Sequence, residues 1–367
     1  MTGHREGCGN MSSDSTWLST RSLPMATRLL RQTRPAPLWQ RHLLLVMLCF
    51  GTASIAVGTG AVDIPFAALW RTDSALTPLQ YTVLTELRLP RVVLAAAVGA
   101  ALAASGAALQ GLFRNPLAEP QLIGVSAGAA LGAICLIVLG DQMALPQSVR
   151  PYAVSLGAIV GAVIVTAALY GIASRRGSSN VTTMLLIGIA VNAIASVGIG
   201  IFTFIADDGE LRSLTFWTMG SFGGAQWTTV IPVLVLIGSA LAVLLPTGPD
   251  LDRLQLGELE AKRLGVAVTT LKRKLVFATA IGVGAAVSVS GIIGFAGLVI
   301  PHIARMLVGV HHSVLLPASA VMGATLVMAA DTGSRTLVAP TEVPVGLLTA
   351  AIGAPFFLWL VMRTKAR

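Results

Sequence analysis

Long apolar runs, separated by short polar segments, make up nearly all of the chain after residue 42. A membrane-spanning helix needs roughly 20 consecutive, mainly apolar residues. Ten runs approach that length, although the third is short and only two serines and a glycine separate the seventh from the eighth. We predict spans at residues 43–62, 90–112, 122–140, 151–173, 183–205, 227–246, 271–290, 291–309, 314–337 and 343–362. The pattern therefore predicts an all-α, polytopic membrane protein with about ten transmembrane helices.

One charged block interrupts this apolar pattern at residues 250–274, which hold ten of the chain's 41 charged residues. Gly257 and Gly265 bracket a predicted helix of about two turns, and Glu258 and Lys262 have the i,i+4 spacing of a helical ion pair. Three leucines are interleaved with the charges: Leu256, Leu259 and Leu264. Such a helix is too short and too polar to cross a bilayer. The pattern fits either a solvated connector or a docking element for a soluble partner.

Composition and charge placement support a membrane topology. Hydrophobic residues make up 54% of the chain and charged residues only 11%, which excludes an ordinary soluble protein. With the N-terminus in the cytoplasm, nineteen of the twenty-five Lys and Arg residues fall on the cytoplasmic side, as basic residues resist translocation. The six on the outer side are Arg71, Arg88, Arg91, Arg150, Arg212 and Arg335. An even number of spans places both termini in the cytoplasm. The net charge of +9 thus reflects cytoplasmic segments rather than nucleic-acid binding.

The chain divides into two parts. Residues 1–42 are rich in Arg and Ser and are predicted to be a disordered cytoplasmic segment. Residues 43–367 form the ten-span domain, with a cytoplasmic loop near 247–270. The first apolar run lacks a small-residue cleavage site, which favours an uncleaved span over a signal peptide. The cysteines are scattered and predict neither a disulfide framework nor a metal site: Cys8, Cys49 and Cys135.

Small residues recur within the spans at helix-packing intervals. Gly128 and Gly132 form one GxxxG pair, and Gly157 and Gly161 form another. Because lipid removes the hydrophobic drive between helices, close approach of small residues is the usual way in which membrane helices associate. We interpret these glycines as packing positions of a helical bundle.

The spans lack the residues that would let this chain power transport itself. No Asp, Glu, Lys or Arg lies near the middle of the first eight spans, where ion-coupled carriers usually hold a charged group. None of the four lysines follows a glycine, so a Walker A phosphate loop is absent. His302 has no HExxH partner and Ser126 no nucleophile-elbow spacing, so no catalytic or metal site is predicted. An external energy source would favour the docking interpretation of the charged block.

Three stretches, at residues 87–133, 216–266 and 291–363, carry a resemblance to a known family. They include RNPLAEPQLIGVSAGAA, LQLGELEAKRLGV and GIIGFAGLVIPHIARMLVG, and together they cover nearly everything from the first span onward. This chain resembles the iron–siderophore, haem and cobalamin permeases of bacterial ABC importers. The resemblance implies a permease subunit without an ATPase site of its own, in the bacterial inner membrane.

The resemblance also implies partners. Two permease copies would form a central pathway, with two cytoplasmic ABC ATPase subunits that bind ATP and magnesium. A periplasmic substrate-binding protein would deliver the cargo, while this chain itself would bind no cofactor. The predicted partners thus include the lipid bilayer, and no nucleic-acid partner is predicted.

Residues of this chain that match the family's motifs receive implied roles. Those implied to dock into the ATPases are Gly257, Glu258, Ala261, Leu264 and Gly265. Those implied to meet acidic residues of the binding protein are Arg88, Arg91 and Arg335. Those implied to form the cytoplasmic gate are Asn115 and Leu117, with a weaker match at Val181 and Thr182.

The cargo is the least defined part of the prediction. Residues 211–221 and the C-terminal third are most similar to haem permeases, so we favour haem. A ferric siderophore or cobalamin suits the same pathway of small apolar residues. From another class, an ion-coupled secondary transporter remains the alternative, and the missing intramembrane carboxylate argues against it.

Overall fold

The computed structural model describes residues 37–60, 62, 64, 76–175, 181–338 and 341–364. All regular secondary structure within these ranges is helical, which confirms the predicted all-α class. The predicted N-terminal segment lies outside the described residues up to residue 36. The first helix begins at Leu38, a few residues before the predicted start of the first span.

Fourteen α-helices occur within the described ranges. In chain order they are α1 Leu38–Gly58, α2 Pro78–Thr82, α3 Leu89–Phe113, α4 Val125–Leu139, α5 Ala153–Arg175, α6 Val181–Ile205, α7 Asp208–Met219, α8 Trp227–Leu244, α9 Gly248–Leu254, α10 Glu258–Arg263, α11 Val268–Ser290, α12 Ala296–Val308, α13 His312–Thr336 and α14 Val345–Thr364. A π-helical segment, Val83–Arg88, joins α2 to α3 without a break.

Seven helical stretches in the described residues are long and apolar enough to cross a membrane. They contain, in turn, α1, α3, α5, α6, α8, α11 and α13. Three shorter apolar helices, α4, α12 and most of α14, occupy the predicted third, eighth and tenth spans. The prediction of about ten spans is therefore confirmed as seven full-length helices and three shorter ones.

The soft boundary between the predicted seventh and eighth spans is a true break. Gly291 has a φ of 66°, which lies outside the right-handed helical region, so α11 ends at Ser290. Glycine adopts this conformation without strain because it has no Cβ atom. Phe295 also has a positive φ and precedes α12, so the helix begins at Ala296 rather than at residue 291 as predicted.

Close helix contacts explain most of the small residues. A Cβ atom at Gly132 would lie 2.0 Å from the carbonyl oxygen of Gly157, and one at Gly128 would lie 2.5 Å from that of Gly161. The two predicted GxxxG pairs therefore face each other between α4 and α5. Gly99 of α3 meets Gly323 of α13 in the same way, at 2.1 Å.

Helix α3 is the central element of the bundle and packs against α8, α11, α12 and α13. Its C-terminal end, the start of α13 and helices α9 and α10 lie together, and we call this the inner end. The π segment, the start of α3 and the last turns of α13 form the opposite, outer end. The inner end carries the predicted coupling residues together with Asn115 and Leu117 of the predicted gate, and the outer end carries the predicted docking arginines.

Candidate functional site

The charged block folds into two short helices, α9 and α10, at the inner end. Gly257 and Gly265 flank α10 with φ values of 113° and 85°, which glycine adopts without strain. Acidic residues occupy the first turn of α10 and basic residues the last, the order that the helix dipole favours. The predicted helix of about two turns between these glycines is confirmed.

Two contacts hold α10 against the bundle. The side chain of Ala261 is fully buried. Glu258 Oε1 accepts a hydrogen bond of 2.7 Å from Nζ of Lys272, whose side chain is buried at the start of α11. Glu258 therefore pairs with Lys272 rather than with Lys262, because α11 packs directly against α10. Holding Glu258 in this way fixes the orientation of the short helix.

The exposed side of α10 and its flanking residues carries three leucines among charged side chains. Leu259 is 74% exposed and Leu264 is 52% exposed, and Leu256 just before the helix is also exposed. We call these three residues the leucine ridge. Clustered apolar side chains of this kind, rimmed by Glu260, Lys262 and Arg263, are typical of a protein interaction site.

A second set of contacts ties α9 to the start of α13. Asp252 Oδ1 accepts from the backbone N–H of His312 at 2.6 Å and lies 2.9 Å from its Nδ1, while Oδ2 accepts from Ser313 Oγ at 3.0 Å. Gln255 Nε2 donates to the carbonyl of Gly111, near the end of α3, at 2.9 Å. The block is thus joined to two long helices. Sequence reasoning assigned no role to Asp252 or His312, which lie 60 residues apart.

The three arginines predicted to meet the binding protein, Arg88, Arg91 and Arg335, have largely buried side chains that bind groups of their own chain. Arg91 forms bidentate contacts with Asp331 at 2.8 Å and with Glu342 at 2.9 Å. Arg335 Nε lies 3.3 Å from the same Asp331 carboxylate, and its Nη2 donates to the carbonyl of Ala56 at 3.1 Å.

Arg88 completes this outer network from the end of the π segment. Its Nη1 donates to the carbonyls of Val57 at 2.9 Å and Gly58 at 3.0 Å, and its Nη2 donates to that of Val62. The three arginines and Glu342 line one cavity of about 590 Å³ at the outer end. The Glu342 side chain, 45% exposed, is the charged member of the network most open to solvent.

Two of the predicted gate residues, Asn115 and Leu117, lie in the connection between α3 and α4. Asn115 Oδ1 accepts from the backbone N–H of Leu117 at 2.9 Å, a local turn that leaves Leu117 exposed. Val181 and Thr182 begin α6, and their side chains lie outside what the structure describes. The geometry therefore shows how Asn115 shapes the connection, and the gate itself stays a prediction.

Glu119 lies in the same connection, and sequence reasoning gave it no role. Burial raises the pKa of its carboxyl to about 7, although a hydrogen bond from the backbone N–H of Phe295 acts in the opposite direction. The connection is also fixed at Gln121, whose carbonyl accepts from Asn192 of α6 at 3.0 Å. A carboxyl group is thus held beside the break that precedes α12.

Apolar helices of spanning length, packed into a bundle through glycines, define a multi-pass helical membrane protein. The model of the FecCD transport family matches residues 43–363. The chain therefore belongs to the FecCD transport family. Members of this family are permease subunits of ABC transporters, without an ATPase site of their own.

Curated relatives agree over nearly the full length. The hemin transport system permease protein HmuU of Yersinia pestis is 45% identical over 323 residues, which cover 88% of this chain and 94% of the relative. The vitamin B12 import system permease protein BtuC of Vibrio parahaemolyticus is 39% identical, over 89% of this chain and 95% of the relative. The cobalamin import system permease protein BtuC of Halobacterium salinarum is 40% identical, over 86% of this chain and 85% of the relative.

A solved structure has the same fold. It is described as an inward-facing conformation of a metal-chelate type ABC transporter, and it is 34% identical with a TM-score of 0.77. The match covers 89% of this chain and 98% of that one. The helical architecture is therefore that of ABC-transporter permeases.

Proposed function

We propose that this chain is the permease subunit of an ATP-driven importer that carries haem across the bacterial inner membrane. The leucine ridge carries the ATP-driven part of this proposal, because an anchored helix with an exposed apolar face needs a soluble partner. Similarity to the hemin permease of Yersinia pestis supports haem as the cargo. Cobalamin is the second candidate, since two permeases named for it are 39–40% identical to this chain.

The proposed assembly contains two copies of this chain, two cytoplasmic ATPase subunits and a periplasmic binding protein. ATP and magnesium are held by the ATPases. The inner end faces the cytoplasm, which accords with the predicted placement of nineteen of the twenty-five basic residues on that side. Both termini then lie in the cytoplasm.

The coupling step follows from the contacts of the charged block. An ATPase groove accepts Leu259 and Leu264, while Lys262 and Arg263 make rim contacts. Because Ala261 and the Glu258–Lys272 ion pair fix α10 to α11, displacement of the ridge moves α11 as well.

The proposed binding-protein site at the outer end requires an exchange of ion-pair partners. Arg91 is already saturated by Asp331 and Glu342, so an incoming carboxylate can reach it only if Glu342 moves away. Arg88 and Arg335 hold backbone carbonyls and position this network. Acidic residues of the binding protein then affect the rate of encounter and the alignment of the two proteins more than their affinity.

Replacing Leu264 with Asp tests the coupling proposal. A charge on the ridge must be desolvated when the ATPase binds, so we expect ATPase affinity to fall at least about ten-fold and transport to stop. The measurement is co-purification with the ATPase, together with ATP hydrolysis in proteoliposomes. The matched control is Leu337→Asp, which changes an exposed leucine at the outer end. This variant should leave ATPase binding and ATP hydrolysis unchanged. Intact ATPase binding by Leu264→Asp would make the block only a connector.

Cargo is tested separately with the complete transporter. Proteoliposomes are supplied with ATP and, in parallel, with haem, cobalamin and a ferric siderophore, each with the binding protein. We expect ATP-dependent uptake of haem alone. Uptake of cobalamin instead would replace the cargo, whereas uptake driven by a proton gradient without any ATPase would overturn the importer itself.

A further inference from the structure

A basic cavity of about 580 Å³ opens at the inner end beside the leucine ridge, since Leu256 is among its lining residues. It lies between the end of α3, the last turns of α12, helix α9 and the start of α13. Its lining includes Arg114, Arg253 and Arg305 but only one acidic residue, Asp252. With neutral histidines, the charged lining therefore carries a net charge of +2.

The arginines of the cavity differ in how well they are satisfied. Arg253 Nη1 lies 3.1 Å from Asp250, so this charge is already balanced. The Asp252 carboxylate is engaged by His312 and Ser313 at the start of α13 and leaves Arg305 alone. Nη1 of Arg305 is buried and has no hydrogen-bond partner within the described part of the chain.

An unpaired guanidinium N–H is costly where water cannot reach it. A buried donor without an acceptor bears its full desolvation penalty, and for a cation the penalty is larger still. An oxyanion that accepts hydrogen bonds from Arg305 would offset this desolvation penalty. Arg114 adds a second positive charge to the lining of the cavity. Arginine is suited to phosphate because its planar donors bind two oxygens at once.

The position of the cavity identifies the source of the phosphate. It opens where α3 and α12 end and α13 begins, and in the proposed orientation these helix ends lie near the cytoplasmic headgroups. Val310 lines its mouth and is exposed, and Met306 and Leu307 on the last turn of α12 are exposed beside it. Apolar side chains in this position can contact acyl chains while the arginines hold a headgroup. Basic pockets between transmembrane helices on this side are known to bind anionic lipid headgroups.

We propose that the cavity around Arg305 binds the phosphate headgroup of an anionic phospholipid from the cytoplasmic leaflet. The lipid fills the space between α12 and α9, and its phosphate binds the Arg305 guanidinium that lines the cavity, which turns so that the buried Nη1 can donate to it. The site is independent of the cargo, so its test does not depend on haem transport.

Lipid titrations of the purified full-length chain in detergent, followed by native mass spectrometry, test this site. The probes are dioleoyl phosphatidylglycerol and dioleoyl phosphatidylcholine. We expect preferential binding of phosphatidylglycerol. Arg305→Gln should lower that affinity about five-fold, the effect of removing one cation near an anionic headgroup.

Two further variants keep the test decisive. Arg114→Gln removes the exposed charge at the mouth and should also weaken phosphatidylglycerol binding, even where Arg305→Gln fails to fold. Arg273→Gln removes an exposed arginine of the inner end that does not line the cavity, so it should keep the wild-type affinity.

Three outcomes would overturn the proposal. Equal binding of the two lipids would show that the cavity does not select an anionic headgroup. Affinities of the Arg305 and Arg114 variants equal to that of Arg273→Gln would place the bound lipid elsewhere. Displacement of phosphatidylglycerol by millimolar inorganic phosphate would make this a site for soluble oxyanions instead of lipid.

Discussion

Burial of Glu119 makes the stability of this chain depend on pH. Burial raises the pKa of its carboxyl from the ordinary value of 4.5 to about 7. Between these two values the unfolded chain releases the proton before the folded chain does, so the free energy of unfolding falls as pH rises. The destabilisation is absent below about pH 4.5 and complete above about pH 7.

Glu119→Gln should remove this dependence. A glutamine keeps the shape and can still accept the hydrogen bond from Phe295, but it has no charge to desolvate. We expect the variant to gain about 2 kcal/mol over the wild type at pH 8 and nothing at pH 4.5, after allowance for partial solvation. Thermal unfolding in detergent at both pH values measures the difference. Parallel profiles of the two proteins would show that Glu119 ionises without penalty.

Glu342 governs access to Arg91 if the binding protein docks there. Glu342→Gln should weaken the internal ion pair while Asp331 keeps Arg91 in place, so we expect binding-protein affinity to rise up to about five-fold. Surface plasmon resonance against the immobilised binding protein gives the affinity. Glu86→Gln removes an exposed acid of the same end and is the control for general charge effects. An equal effect of both variants would exclude Arg91 from the docking site.

Side-chain roles were less predictable than side-chain locations. The sequence located Arg91 at the outer end, but its internal partners lie 240 and 251 residues away, and no local pattern connects them. The same holds for Lys272, which replaces Lys262 as the partner of Glu258. Spacing rules within one helix describe only neighbours on that helix, whereas these ion pairs join different helices.

Packing between α4 and α5 depends on the four facing glycines at the scale of whole helices. Gly132→Ala would place a methyl group 2.0 Å from the carbonyl oxygen of Gly157, so the helices must separate. We expect a loss of about 1–3 kcal/mol in the free energy of unfolding. Gly238→Ala in α8, where a Cβ meets nothing within 4 Å, should be neutral or slightly stabilising. Denaturant titration in detergent compares the two variants, and equal stabilities would contradict the packing role of Gly132.

The helices themselves were predictable because apolar length is a strong signal. Helices α5, α6, α8, α11 and α13 lie close to predicted spans, and the break after Ser290 coincides with the polar residues that marked it. Helix α7 was missed, although Asp207 and Glu210 form a capping box that its sequence contains. A helix of twelve residues between two spans lacks the apolar length on which the prediction relied.

For the whole molecule, absences in the sequence predicted an external energy source, and we propose the leucine ridge as the surface to which it docks. Family membership then follows from a match over residues 43–363. The cargo did not follow from physical reasoning, because a pathway of small apolar residues suits several large ligands. The orientation in the membrane rests on the distribution of basic residues.

Helix α13 links the two ends of the molecule mechanically. Asp252 of α9 binds its first residues, and Asp331 and Arg335 in its last turns belong to the arginine network of the outer end. A helix of 25 residues spans about 37 Å, and α13 is continuous over this length although Pro317 lies within it. If the proposed ATPase docks at α9 and the proposed binding protein at the outer arginines, α13 contacts both sites. Its Asp331 would then respond to movement of α9, and α9 to docking at the outer end.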